Sequence, residues 1–227
     1  MVFTELGLAI VVMILTFLIC LWLLFRYIDR ITPYQKGIDL FLFVFSIQAM
    51  ARHYYNWTVD GLYYNYLPLQ ICYFTAFIYM YYYVSNDRRT LPFLHIFGFL
   101  GVGALVIPGH AFSFTNPLSY VFMFDHIVLG LMPFYLIVAH KYYPEYPSIR
   151  KVLLWLIPIF FLSIPLSNLL GANYFFIISN PVTADLINPW LAAVIQLILM
   201  YGWGLLATYL GQWILGVVYP ESRKQTV

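Results

Sequence analysis

The chain has 227 residues, of which 63% are apolar and only 9% charged. A soluble domain carries about 45–50% apolar and about 25% charged residues, so this chain lacks the polar surface to cover itself in water and is too hydrophobic to be disordered. A net charge of +2 argues against a nucleic-acid partner, and two cysteines, Cys20 and Cys72, are too few for a disulfide framework or a disulfide-relay enzyme.

The apolar residues come in helix-length runs, not in the ~10-residue alternating segments of a membrane barrel. Seven spans are expected, at 7–28, 38–56, 67–84, 92–109, 118–140, 152–172 and 188–218, giving an all-α, multi-pass cell-membrane protein in a single domain. The first span contains Cys20 and no polar residue at the depth where the others carry theirs, so it is expected at the periphery. It follows Glu5, lacks a basic leader and has its cations behind it, unlike a cleaved signal peptide. The second opens near Asp39, read as a helix N-terminal charge, and carries Gln48, Arg52 and Asn56 at i, i+4, i+8 spacing. Asn56-Trp57-Thr58 matches a glycosylation sequon close to the membrane. The third span holds Gln70 and Cys72 in its first turns. The fourth has Gly98, Gly101 and Gly103, read as close helix packing. The fifth brings Asp125 and His126, the sixth ends on Ser167 and Asn168, and the seventh carries Gln196, with Gly202 and Gly204 also read as packing. Thr32-Pro33, Asn116-Pro117, Tyr146-Pro147 and Asn180-Pro181 punctuate the connections.

Ten of the eleven Lys and Arg lie at one set of span ends: Arg26, Arg30, Lys36, Arg88, Arg89, Lys141, Arg150, Lys151, Arg223 and Lys224. By the positive-inside rule the N-terminus is outside and the C-terminus cytoplasmic. Tyr54 and Tyr55 outside, and Tyr81, Tyr82 and Tyr83 inside, read as aromatic belts. The eleventh cation, Arg52, falls inside a span, where an ionisable residue costs at least ~2.5–3.5 kcal/mol at the helix centre. At ~1.5 Å per residue, Arg52, Gln70, Cys72, Asp125, His126, Asn168 and Gln196 share one depth in the outer half of the bilayer. The inner halves read as almost purely apolar. A polar pocket facing the outer leaflet is the expectation.

Cys72 and His126 carry nucleophile chemistry, since a histidine can deprotonate a thiol for attack on an acyl carbonyl; the alternative is a small packing cysteine. Cys20, with no polar neighbour on its face, reads as packing. Adjacent helical residues do not face each other, so Asp125 is not expected to orient His126. It is instead free to pair with Arg52, either as a structural ion pair or with Arg52 holding a lipid phosphate. Gln70, Asn168 and Asn173 are candidate oxyanion donors, or interhelical hydrogen bonds. His95, His110 and His140 read as interfacial. A haem or metal would need facing histidines, with His53 and His126 the available pair, and no metal or cofactor is expected. No lysine lies inside the last span, which excludes a retinal protein.

Three strings, Leu67-Pro68-Leu69-Gln70-Ile71-Cys72, then His126, then Asn168-Leu169-Leu170-Gly171-Ala172-Asn173-Tyr174, resemble the YwaF family of small bacterial membrane proteins. That family is similar in turn to the eukaryotic transmembrane protein 164 group. The resemblance covers roughly residues 40 to 210. The eukaryotic group is described as a phospholipid acyltransferase using a membrane cysteine and histidine, which implies Cys72 and His126 here and a phospholipid or lysophospholipid partner. The chain departs from the bacterial pattern at Gln70, where many members have histidine. A lipid acyltransferase or transacylase is therefore the leading expectation. A small-solute or lipid permease, which also places polar residues at one depth, and a non-catalytic assembly partner are the alternatives.

Overall fold

The computed structural model describes residues 2–59, 70–106, 114–171, 174 and 188–218; the side chains of 2–5, 53, 55–59 and 106 lie outside that description. Within it the protein is all-helical, with no strand. Seven helices of fifteen or more residues are described: α1 Val2–Arg26, α2 Gln35–Val59, α3 Ile71–Ser85, α4 Leu91–Val106, α5 Pro117–Ala139, α6 Tyr146–Leu170 and α7 Pro189–Val218. Four of them contain stretches long and apolar enough to cross a membrane: Leu6–Arg26, Pro117–Ala139, Tyr146–Leu170 and Pro189–Val218.

The helix ends follow from local chemistry. Asn116 accepts the Leu118 N–H (3.0 Å) and Pro117 opens α5, so the first turn gains a cap and loses no bonded donor. Asn188 does the same for α7 through the Trp190 N–H at 2.9 Å, ahead of Pro189. At the other ends, α3 stops on Asn86 (φ 53°) and α6 on Gly171 (φ 64°). Both take the left-handed conformation and return their N–H to the last turn, to the carbonyls of Tyr82 and Ser167.

Helix α5 is the centre, buried almost continuously from Ile127 to Ala139. Its closest partner is α4. Pro133 leaves the Leu129 carbonyl without its helical donor, and Gly98 of α4 lies on that spot. A Cβ at Gly98 would fall 2.8 Å from Pro133 Cδ and 3.0 Å from the Leu129 oxygen. Gly101 faces the Gly130 backbone in the same way, at 3.3 Å. The packing expected of Gly98, Gly101 and Gly204 is present, the last against Ile149 at 2.9 Å, but Gly202 has open space around it. Helix α1 presents most of its surface outward and touches α5 through a narrow stripe that includes Phe17, whose ring abuts Gly130.

Helices α2 and α5 make few close backbone approaches. Side chains bridge them: Arg52 to Asp125 at one end, the Phe45 and Phe124 rings between (5.9 Å, edge to face), and Asp39 to Tyr135 and His140 at the other. These contacts make α2 and α5 antiparallel. They also give the bundle a basic end, where Asp39, Arg88 and His140 meet, and an opposite end carrying Arg52 and Asp125.

Candidate functional site

At the end opposite the basic one, α2 supplies Arg52, α3 opens with Gln70 and Cys72, and α5 contributes Asp125 and His126. Arg52 Nη2 donates to Asp125 Oδ2 in a partly buried ion pair. This is the cross-bundle pairing that the sequence allowed, and it leaves two buried polar atoms, Arg52 Nη1 and Asp125 Oδ1, without a hydrogen-bond partner among the described residues. Arginine presents five donors, so the pair retains capacity for a further acceptor.

Cys72 sits two residues into α3, half-buried against the main core. It thus lies at the same end of the bundle as the Arg52–Asp125 pair. His126 follows Asp125 but turns back along its own helix. Its Nδ1 lies 2.8 Å from the Phe122 carbonyl, and its ring lies 4.0 Å from that of Phe122. A carbonyl oxygen only accepts, so Nδ1–H donates to it.

The amides are less gathered. Gln70 precedes the first turn of α3 with extended backbone, and Gln196 is half-buried on α7. Asn168 is exposed on α6, turned away from its buried neighbour Ser167. Ser167 Oγ accepts the N–H of Tyr174, whose side chain is fully buried, which ties Tyr174 back to the end of α6. Asn173, His53, His110 and the Asn56 side chain lie outside the described residues. An apolar groove of about 330 Å³ runs between α6 and α7, lined by Ile157, Phe161, Val194, Leu197, Ile198 and Tyr201; it includes none of the polar site residues.

The basic end overturns part of the sequence expectation. Asp39 is not a terminal helix charge: Oδ1 accepts from Tyr79 (3.1 Å), Tyr135 (2.9 Å) and His140 Nε2 (2.9 Å). His140 is drawn into the same cluster. Its Nδ1 lies 2.9 Å from the Tyr82 hydroxyl, Gln35 Nε2 approaches both ring nitrogens at 3.3 Å, and Arg88 donates to its carbonyl. His95 is 1% exposed, packed beside Tyr142 and Gly211. This half of the bundle is therefore not purely apolar. Within Tyr81-Tyr82-Tyr83 the structure separates Tyr82, which is buried, from its two exposed neighbours, as successive positions on a helix point in different directions. Among the described residues no group of three or more His, Cys, Asp or Glu gathers as a metal site.

The sequence pattern of the TMEM164 family matches residues 3–207. The chain belongs to the TMEM164 family. It is a membrane protein by that membership and by its four long apolar helices. Neither the curated proteins nor the solved structures yield a match to this chain. The family match spans Arg52, Cys72, Asp125 and His126 at one end and the Asp39–His140 cluster at the other.

Proposed function

We propose that this TMEM164-family protein is a phospholipid acyltransferase or transacylase of the cell membrane, of the YwaF-like bacterial branch. It would cross the membrane seven times, with the basic end in the cytoplasm and the Arg52 end facing outward, as the positive-inside rule orients it. His126 takes the thiol proton of Cys72 on Nε2. The thiolate attacks the ester carbonyl of a phospholipid, the acyl C–O bond breaks, and the lysophospholipid alkoxide leaves with the proton from His126. An acceptor hydroxyl, deprotonated by the same nitrogen, then attacks the acyl-cysteine and restores the thiol. Gln70, Asn168, Asn173 and Gln196 are the amides available at this end of the sequence for the oxyanion or the headgroup.

The observation that supports this reading is the Arg52–Asp125 pair at the Cys72 end of the bundle, with Arg52 Nη1 left without a hydrogen-bond partner among the described residues. A guanidinium already anchored by a carboxylate presents its remaining donors to a phosphate oxygen, for which its planar fork is suited. The deciding experiment is intact-mass spectrometry of the purified protein after incubation with phospholipid. Wild type is expected to gain a hydroxylamine-labile fatty-acyl adduct, and Cys72→Ala and His126→Ala are expected to lose it, while Cys20→Ala keeps it. An adduct that survives Cys72→Ala, or its absence from wild type with the lipids unchanged, overturns the covalent mechanism.

A further inference from the structure

A second polar assembly lies at the basic end, remote from Cys72, and the acyl-transfer chemistry makes no use of it. It draws on three helices. Helix α2 gives Gln35 and Asp39, α3 gives Tyr79 and Tyr82, and α5 gives Tyr135 and its C-terminal residue His140. Every hydrogen bond that ties α2 to α5 here runs through the Asp39 carboxylate, the His140 ring or the Gln35 carbonyl, which accepts from Tyr135 at 3.2 Å. The two backbones make few close approaches, and these side chains span the space between them. The contrast is with α4 and α5, where glycines bring backbone onto backbone and leave no room for a change in spacing.

We propose that Asp39 and His140 form a proton-operated clamp that sets the separation of α2 and α5 at the basic end. Histidine is the side chain whose charge changes between about pH 5 and pH 8. The His140 side chain retains 11% exposure, and that of Asp39 17%, so protons reach the pair from the bundle end. With the ring neutral, Nε2–H donates to Asp39 and Nδ1 accepts from Tyr82. With the ring protonated, both nitrogens donate: the Asp39 contact becomes an ion pair, and the Tyr82 hydroxyl turns to accept. Charge-assisted hydrogen bonds are about twice as strong as neutral ones. The titratable and charged groups facing His140 are Asp39 on α2, Tyr82 on α3, Tyr135 on its own helix and Arg88 on the following turn, with Tyr79 behind Asp39. Protonation therefore tightens the clamp, and rising pH loosens it. At the far end the same two helices are held by Arg52 and Asp125, a pair with no histidine, so the response is confined to one end.

The test uses the full chain in lipid nanodiscs, with Cys20→Ser and Cys72→Ser and spin labels at Lys36→Cys and Lys141→Cys, which flank the cluster. It requires no catalytic activity and stands apart from the acyl-transfer reading. The expected result is a label-to-label distance that lengthens by about 2 Å, the scale of interfacial helix shifts, as pH rises from about 5 to about 8.5 across a single-proton midpoint. His140→Gln is expected to show the longer distance at every pH. Tyr82→Phe is expected to keep the transition but move its midpoint, which decides the matter should His140→Gln fail to fold. An identical distance distribution at both pH extremes with His140 in place, or a transition that persists in His140→Gln, overturns the clamp.

Discussion

The two ends of the α2–α5 pair solve the same problem with opposite outcomes. Each end brings an acidic and a basic side chain across the bundle. At the basic end the Asp39 carboxylate takes three donors, and no side-chain polar atom of Gln35, Asp39, Tyr79, Tyr82, Tyr135 or His140 is left buried without a partner among the described residues, although both ring nitrogens of His95 in the same half are. At the other end, which also holds Cys72, the ion pair leaves Arg52 Nη1 and Asp125 Oδ1 without a hydrogen-bond partner among the described residues. Burying an unpaired polar atom costs about 1–3 kcal/mol. The saturated cluster is organised to hold helices, and the unsaturated pair to receive a further group. Removing a residue from the first should cost stability above all; removing the spare donor from the second should cost function above all.

The largest effect that would break this contrast is at the unsaturated end. Arg52→Ala strands the Asp125 carboxylate and is expected to destabilise the protein by about 3 kcal/mol. Arg52→Ala/Asp125→Ala, which strands nothing, should recover at least about 1 kcal/mol of that. Thermal unfolding in detergent checks both. Arg52→Lys sharpens the same point. It keeps the charge on Asp125 and should fold within about 1 kcal/mol of wild type, yet lose at least about tenfold in formation of the acyl adduct, because a single ammonium does not reproduce the fork. Next comes Asp39→Asn, expected to cost about 2 kcal/mol in the same melts while leaving adduct formation within about twofold at fixed pH. An adduct rate that collapsed with Asp39→Asn would erase the distinction between the ends. Tyr79→Phe and Tyr135→Phe each remove one of the three donors and are expected to cost about 1 kcal/mol apiece. The smallest effect belongs to Asp87, on the exposed turn after α3. Hydrogen bonds from Arg89 hold its carboxyl below the usual carboxylate range, so the contact is lost only as pH falls well into the acid range. Solvent screening makes that contact negligible for folding, and Asp87→Asn should move the neutral-pH melting temperature by less than about 1 °C.

The sequence made the unsaturated end legible because its residues are anomalous one at a time. An arginine, an aspartate and a histidine inside apolar runs demand partners, and a rise of ~1.5 Å per residue is enough to bring Arg52, Cys72 and Asp125 to one depth. The saturated end was illegible for the opposite reason. Asp39, Tyr82 and His140 each lie where a polar residue is ordinary, near the end of a span, and each has a sufficient explanation in isolation. Their meeting depends on the azimuth of three helices, which depth does not supply. His95 shows the same gap: near a span end by position, fully buried by rotation. Asn168 shows its converse, at a suitable depth but on the outward face of α6. Glycines were readable as a class, yet only geometry separates Gly98 and Gly204, which a Cβ would disrupt, from Gly202, which it would not.

The narrow stripe by which α1 meets α5 sets a schedule for biogenesis. Phe17 is translated more than a hundred residues before Gly130, the backbone it rests on. At ~5–20 residues per second, α1 waits roughly 5–20 s in the lipid before its docking surface exists. A helix held that long without its partner has to be a stable span by itself. That accounts for its unbroken apolar sequence between Glu5 and Arg26, which holds none of the charged residues that α2 and α5 carry only because they find each other.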